Sequence, residues 1–175
     1  MAPISIPALS RRLSLSFMLL CAAWPLYAQT RHSPQVWVAG GLGAGGGSRE
    51  GGIAASGQLG ILRGAQQLSL RGVAMVDPFS DGCGSGLGDL AVLYGRGVSG
   101  ALGHVTASAG AAWTFPSQCG SASRGTQVVG LPLALEVTLR LGPVAGLGVQ
   151  AFGNLNSRGS FGGVLVLLHL GWLAR

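Results

Sequence analysis

Residues 131–141 read LPLALEVTLRL, and the run alternates strictly between two kinds of side chain. The odd positions are all leucine or valine, whereas the even positions carry proline, alanine, glutamate, threonine and arginine. A period of two is typical of a β-strand with two unlike faces. Glu136 stands in the middle of this run, although only 9% of the chain is charged. The strand therefore needs an apolar medium on one side and a place for a carboxylate on the other.

The rest of the chain is apolar without containing a long apolar segment. The mean hydropathy is +0.49, and 32 of the 175 residues are glycine. Beyond residue 28 the longest apolar stretch is 161–173, which glycines interrupt, and a membrane-spanning helix needs about 20 apolar residues. A closed β-barrel is the other structure that can cross a bilayer, so the composition favours a barrel.

The N-terminus is typical of a secretory signal peptide. Arg11 and Arg12 precede an apolar region at 13–23, and cleavage is expected after Ala28. A lipoprotein signal is the alternative, but Leu20 stands before Cys21, where a small residue is needed. We expect a signal peptide at 1–28 and a barrel domain at 29–175. The domain keeps nine arginines and five acids, a net charge of +4, spread singly. No nucleic-acid-binding patch is predicted.

Turn residues divide the domain into eight runs of strand length. The connections between them alternate in length, with short ones at 63–65, 97–100 and 141–142 and longer ones at 45–51, 77–86, 116–126 and 154–159. This is the pattern of an outer-membrane barrel with periplasmic turns and extracellular loops. The predicted strands are 35–44, 52–62, 66–76, 87–96, 101–115, 127–140, 143–153 and 160–172.

The two faces of the runs also favour a membrane barrel. One face is aliphatic, and the other carries mostly Gly, Ala, Ser, Thr and Gln, which fit the narrow interior of an eight-stranded barrel. A soluble secreted β-sandwich also alternates, but its outer face should be rich in Lys and Glu. Aromatic residues stand near the run ends, where rings at the two membrane interfaces are expected: Trp37, Tyr94, Trp113, Phe115, Phe152, Phe161 and Trp172.

The signal peptide, the eight runs, the segment DLAVLYGRG at 89–97 and the segment GNLNSRGSFGGVLVLLHLGWL at 153–173 resemble small eight-stranded Gram-negative outer-membrane proteins. The class is that of OmpA-like transmembrane barrels and uncharacterised exported barrels of this size. The resemblance implies location in the cell outer membrane, contact with its lipid and delivery by the barrel-insertion machinery. Such chains often end on an aromatic residue, whereas this one ends WLAR. We expect a monomer.

Two cysteines remain after signal removal, Cys83 and Cys119, each in a predicted long loop. An exported protein with two cysteines is first interpreted as carrying one disulfide, and both loops should emerge on the same side. We therefore predict a bond between Cys83 and Cys119.

The charged residues in mid-strand predict an interior polar cluster. Glu136, Arg71 and Asp89 all point inward by alternation, with His104 at the edge of the cluster. Facing lipid would be costly for each of them. The expected role of the cluster is to hold the barrel in register.

No catalytic set, metal site or cofactor is predicted. The run 40–52 has glycine spacing like that of a phosphate loop but no following helix, and 77–82 lacks two ligands of a calcium loop. His104, Thr106 and Ser108 share a face, and Glu136 is expected near them, so a lipid-modifying barrel enzyme is an alternative. The preferred hypothesis is a non-catalytic outer-membrane barrel with a structural, adhesive or small-solute role.

Overall fold

The computed structural model describes residues 34–47, 51–76, 85–118 and 127–171, and the side chains within this part except those of 85 and 116–118. The described residues form eight antiparallel strands. The strands are β1 (Gln35–Gly47), β2 (Gly51–Arg63), β3 (Gln66–Val76), β4 (Ser85–Ser99), β5 (Gly103–Gln118), β6 (Val128–Arg140), β7 (Ala145–Leu155) and β8 (Phe161–Gly171). In the described part of the chain no helix is long and apolar enough to cross a membrane.

Each strand pairs with its neighbour in sequence, and β8 closes the sheet by pairing with β1. Following the paired residues once around the barrel from Gln35 leads back to β1 at Gly45, ten residues further along the strand. This stagger tilts the strands by roughly 35–45° from the barrel axis. A closed barrel leaves no free sheet edge, so the predicted fold class is confirmed.

The alternation of side chains determines which residues face outward. On β6 the leucines and valines at the odd positions from 129 to 139 are exposed, and the even positions from 130 to 138 are buried. The same alternation holds on β3, where Arg71 is buried between the exposed Leu70 and the outward-facing Gly72. Exposed leucines and valines cover every strand of the wall. Such an apolar outer surface is suited to contact with hydrocarbon rather than with water.

Several strands are longer than predicted. β4 and β5 extend to 85–99 and 103–118 because their residues continue to pair in register beyond the predicted ends. Pairing of β1 with β2 up to Gly46 and Gly51 reduces the first predicted long connection to 48–50. The turn between β2 and β3 is 64–65, one residue shorter than the predicted connection 63–65. Gly64 adopts a left-handed φ of 62° there, which favours glycine.

Part of the predicted aromatic arrangement was wrong. Tyr94, Trp113 and Phe115 face outward. Trp37, Phe152 and Phe161 point into the barrel and are at most 6% exposed. Their register on β1, β7 and β8 gives them inward parity, and the interior glycines leave room for their rings. Trp172 lies outside the described residues.

Candidate functional site in the barrel interior

The interior holds a polar network around Glu136. The network lies near the rim at which β2–β3, β4–β5 and β6–β7 are joined, which we call the short-turn rim. Gln150 Nε2 donates hydrogen bonds to Glu136 Oε2 at 2.8 Å and to Gln58 Oε1 at 2.9 Å. Thr138 Oγ1 donates to Glu136 Oε1 at 3.1 Å. Glu136 lies opposite Gln150 in the pairing of β6 with β7, so strand register itself brings this donor to the carboxylate.

Two histidines flank the same carboxylate. The Nε2 atoms of His169 and His104 lie 3.5 Å and 3.7 Å from Glu136 Oε1. The two imidazole rings meet edge to face with their centroids 6.3 Å apart. On the far side, the indole of Trp37 packs against His169 with a centroid distance of 4.9 Å. The carboxylate therefore has hydrogen-bonding groups from β5, β6, β7 and β8 around it.

A second network lies nearer the opposite rim, at which β1–β2, β3–β4, β5–β6 and β7–β8 are joined and which we call the long-connection rim. Arg71 Nη2 donates to Asp89 Oδ2 at 3.3 Å, and both side chains are fully buried. Asn154 Nδ2 donates to the same Asp89 oxygen and to Thr114 Oγ1, each at 3.0 Å. The guanidinium carbon of Arg71 also lies 5.6 Å from the centroid of the Phe152 ring, a cation–π distance. A buried ion pair of this kind is costly to break from one side, at about 3–5 kcal/mol.

The four interior residues predicted from sequence fall into these two networks rather than into one. Arg71 pairs with Asp89, and Glu136 pairs with His104 and His169. No ion pair joins Arg71 to Glu136 among the described residues. The split follows from geometry, because Asp89 and Asn154 lie near the long-connection ends of β4 and β7, and His104 lies near the short-turn end of β5.

Sequence reasoning missed several members of the networks, among them Gln58, Gln150, Asn154 and His169. Inward parity on β2, β7 and β8 would have been the signal for each of them. Neighbouring strands alone do not determine these contacts, since Gln58 and Gln150 meet across the lumen at 92 residues of sequence separation.

Apolar side chains fill the remaining interior. One cluster surrounds Trp37, Met75, Phe152, Phe161 and two leucines of β8, and a second consists of Ala91, Leu93, Ala112 and Ala134. In the described part of the chain no group of three His, Cys, Asp or Glu side chains is arranged to hold a metal. Cys83 and Cys119 lie outside the described residues, so the disulfide stays a prediction.

Fold and surface together define a class of protein. A closed barrel of eight antiparallel strands, apolar outside and polar inside, has the architecture of the outer-membrane β-barrels. The predicted resemblance to this class is confirmed.

The comparisons with solved structures lead to the same class. The Neisserial surface protein A (NspA) is similar over 81% of this chain and 100% of its own, with 12% identity and a TM-score of 0.67. Ail, the attachment invasion locus protein of Yersinia pestis, is similar over 81% of this chain and 98% of its own, with 10% identity and a TM-score of 0.55. The N-terminal β-barrel domain of Pseudomonas aeruginosa OprF is similar over 79% of this chain and 100% of its own, with 17% identity and a TM-score of 0.53.

All three of these proteins are Gram-negative outer-membrane barrels. No protein-family model matches the sequence, and no curated protein matches it. The shared property is the fold, and this chain has the fold of an outer-membrane protein.

Proposed function

We propose that this outer-membrane barrel is a non-catalytic scaffold with a structural or adhesive role. The strand ends that are joined by the connections 48–50, 77–84, 119–127 and 156–160 lie together at one rim. The observation that supports this proposal best is the burial of the charged interior side chains, which contact one another. Such an interior stabilises the wall and leaves recognition to the rim.

The alternative of a lipid-modifying enzyme needs a nucleophile, a base and an orienting group that reach a substrate together. His104 and Glu136 are 4% and 2% exposed, and both point away from the lipid-facing surface. Ser108 is on the same strand as His104, and no described hydrogen bond joins the two. A lipid substrate outside the wall would not reach this set.

A small-solute role would need an open lumen. The lumen of an eight-stranded barrel is just wide enough for side chains to fill, and here the filling includes the side chains of Trp37, Arg71, Leu165 and Leu167, which are at most 1% exposed. We therefore place structural or adhesive roles before transport.

The adhesive form of the proposal is supported by one comparison. Ail is described as an attachment protein, and it is similar to this chain in fold. Attachment by such a barrel would depend on the rim at which 77–84 and the other connections of that side begin and end, since the outer wall faces lipid.

The proposal is tested on the purified full chain in lipid bilayers. We expect no steady conductance in planar bilayers and no turnover of lipid A or phospholipid, whether His104 is present or replaced by alanine. Lipid turnover that His104→Ala abolishes, in a variant that still folds, would establish the enzyme instead. A steady single-channel current would establish a pore.

A further inference from the structure

Two outward-facing arginines lie in one row at the short-turn rim. Arg63 on β2 pairs in register with Gln66 on β3, and Gln66 pairs with Arg96 on β4. All three side chains are exposed. The described acids, Asp89 and Glu136, are buried inside the barrel, and the ion pairs of the described residues involve neither arginine. The row is therefore an unbalanced cationic patch on the outer wall.

The spacing of this row suits a phosphate group. Adjacent strands are about 4.8 Å apart, so the backbones of Arg63 and Arg96 are separated by roughly 10 Å. Arginine side chains are long enough to converge from that separation on one anion above Gln66. Guanidinium groups bind phosphate oxygens by paired hydrogen bonds, and the Gln66 amide adds a donor between them.

Above this patch the wall carries a path for an acyl chain. Leu68 and Leu70 continue β3 upward from Gln66, and both are exposed. A shallow, open groove follows, and its outward-facing lining consists of Ala55, Gly57, Gly72, Ala74, Leu90 and Phe115. Gly57 and Gly72 are register partners, and a Cβ atom added to Gly57 would meet nothing within 4 Å.

The distance from patch to groove matches one leaflet of a membrane. Gly72 lies six positions beyond Gln66 on β3, which is about 20 Å along the strand at 3.3 Å per residue. A tilt of roughly 35–45° reduces this to about 15 Å along the membrane normal. That is half of a hydrocarbon core about 30 Å thick, so a lipid held at the patch would bring its chain to the groove.

We propose that the outer wall of β2 to β4 is a binding site for a phospholipid with an anionic headgroup, in the leaflet at the short-turn rim. Arg63 and Arg96 hold its phosphate, and the groove at Gly57 and Gly72 takes the end of an acyl chain. Charge complementarity favours this occupant over a second copy of the chain, which would bring a like-charged patch to the same place.

The experiment measures lipid selectivity at the protein surface. The full chain is reconstituted in phosphatidylcholine vesicles, and electron spin resonance gives the motionally restricted fraction of spin-labelled phosphatidylglycerol relative to spin-labelled phosphatidylcholine. The variants are Arg63→Gln with Arg96→Gln, Arg96→Gln alone, and Gly57→Leu. The matched control is Arg158→Gln, which removes an exposed arginine between β7 and β8 at the opposite rim.

We expect the native chain to prefer phosphatidylglycerol, with each arginine contributing about fivefold. Arg63→Gln with Arg96→Gln should reduce the ratio of bound phosphatidylglycerol to bound phosphatidylcholine to about one. Arg158→Gln should leave this ratio unchanged. Gly57→Leu should weaken retention of long-chain phosphatidylglycerol more than that of a short-chain form. Excess inorganic phosphate should not displace the lipid, because phosphate lacks the acyl chain.

Three results would overturn the proposal. The first is an unchanged ratio in the double arginine variant, and the second is an equal loss in Arg158→Gln, which would indicate attraction by net charge alone. The third is cross-linking of two copies through β2 to β4, which would assign the surface to self-association. A change of gel mobility on boiling, which a closed barrel should show, confirms that each variant is folded before its lipid selectivity is measured.

Discussion

Trp37 and Gly60 face each other inside the barrel, and the missing side chain of the glycine leaves the space that the indole occupies. They are register partners on β1 and β2, and a Cβ atom at Gly60 would overlap the indole ring. The glycine thus gives the largest buried side chain its place, beside the His169 ring. Tryptophan fluorescence should therefore report on this part of the interior.

Gly60→Val should destabilise the barrel by about 1–3 kcal/mol, because the added methyl groups force the indole out of a packed interior. The matched control is Gly57→Ala on the same strand, where the added Cβ meets open space. Urea unfolding followed by tryptophan fluorescence checks both variants. Equal stability of the two would mean that Trp37 does not occupy the space above Gly60.

Glu136→Ala should cost about 1–3 kcal/mol, the penalty for leaving buried donors without their acceptor. Thr138 would keep only His169 Nε2, at 3.4 Å, and the two histidines would lose the carboxylate. Gln150 would keep Gln58, and Arg71 would keep Asp89. The loss should be smaller than that from breaking the pair of Arg71 with Asp89, because a guanidinium group always carries its charge. Glu136→Gln, which keeps an acceptor oxygen, should retain more of the stability in the same unfolding assay. Unchanged stability of Glu136→Ala would show that the network contributes nothing to folding.

At the scale of the element, the strand is the unit that distributes side chains between lipid and lumen. β6 shows this most clearly, since Leu135 is 52% exposed and its neighbour Glu136 is 2% exposed. A shift of one residue in register would exchange the two faces. The pairing of Glu136 with Thr106 and Gln150 fixes β6 against both of its neighbours.

Leu135→Arg should impair insertion by about 2–4 kcal/mol, because it places a charge on the lipid face in the middle of a strand. Leu139→Arg changes the same residue type on the same face of β6 but lies next to the strand end at Arg140. Near the interface the cost should fall to about 0–1 kcal/mol. Refolding yield into lipid vesicles measures both, and equal yields would contradict the assignment of this face to lipid.

At the scale of the whole molecule, closure of the sheet determines how the protein unfolds. Every strand has two partners, and the ten-residue stagger joins β8 to β1 without an edge. Local fraying of an edge strand is therefore not available as a first step of unfolding.

The chain should consequently partition with outer membranes and change its gel mobility on boiling. The unboiled form should migrate as a compact species that resists detergent, and the boiled form as an extended chain. Fractionation of the cells followed by electrophoresis of both samples makes the measurement. Recovery from the soluble periplasm, without a mobility shift, would contradict a membrane barrel.

The predicted bond between Cys83 and Cys119 joins the connections β3–β4 and β5–β6, which begin and end at one rim. If formed without strain, it should contribute about 2–4 kcal/mol by restricting the unfolded chain. Thiol labelling of the denatured protein with and without reductant tests it. Labelling of both cysteines without reductant would rule the bond out. The variant Cys21→Ala serves as the control, because it removes the third cysteine of the chain.

The sequence by itself determined the wall. Alternation of period two specifies which side chain of each strand meets lipid, and that choice is local because neighbouring residues point to opposite faces. Leu135 and Glu136 could be assigned to their faces without any knowledge of their partners. The number of strands followed from the spacing of turn residues, although ladder pairing extended β4 and β5 beyond the ends that composition predicted.

Tertiary structure decided everything that depends on the stagger of the strands. The ten-residue offset determines the level at which an inward side chain lies, and no local pattern encodes it. For this reason Arg71 meets Asp89 and Asn154, Glu136 meets His169, and Trp37 turns inward over Gly60. The row of Arg63, Gln66 and Arg96 likewise exists only because two pairings place three strands in register. Alternation gives a side chain its face, and closure of the barrel gives it its neighbours.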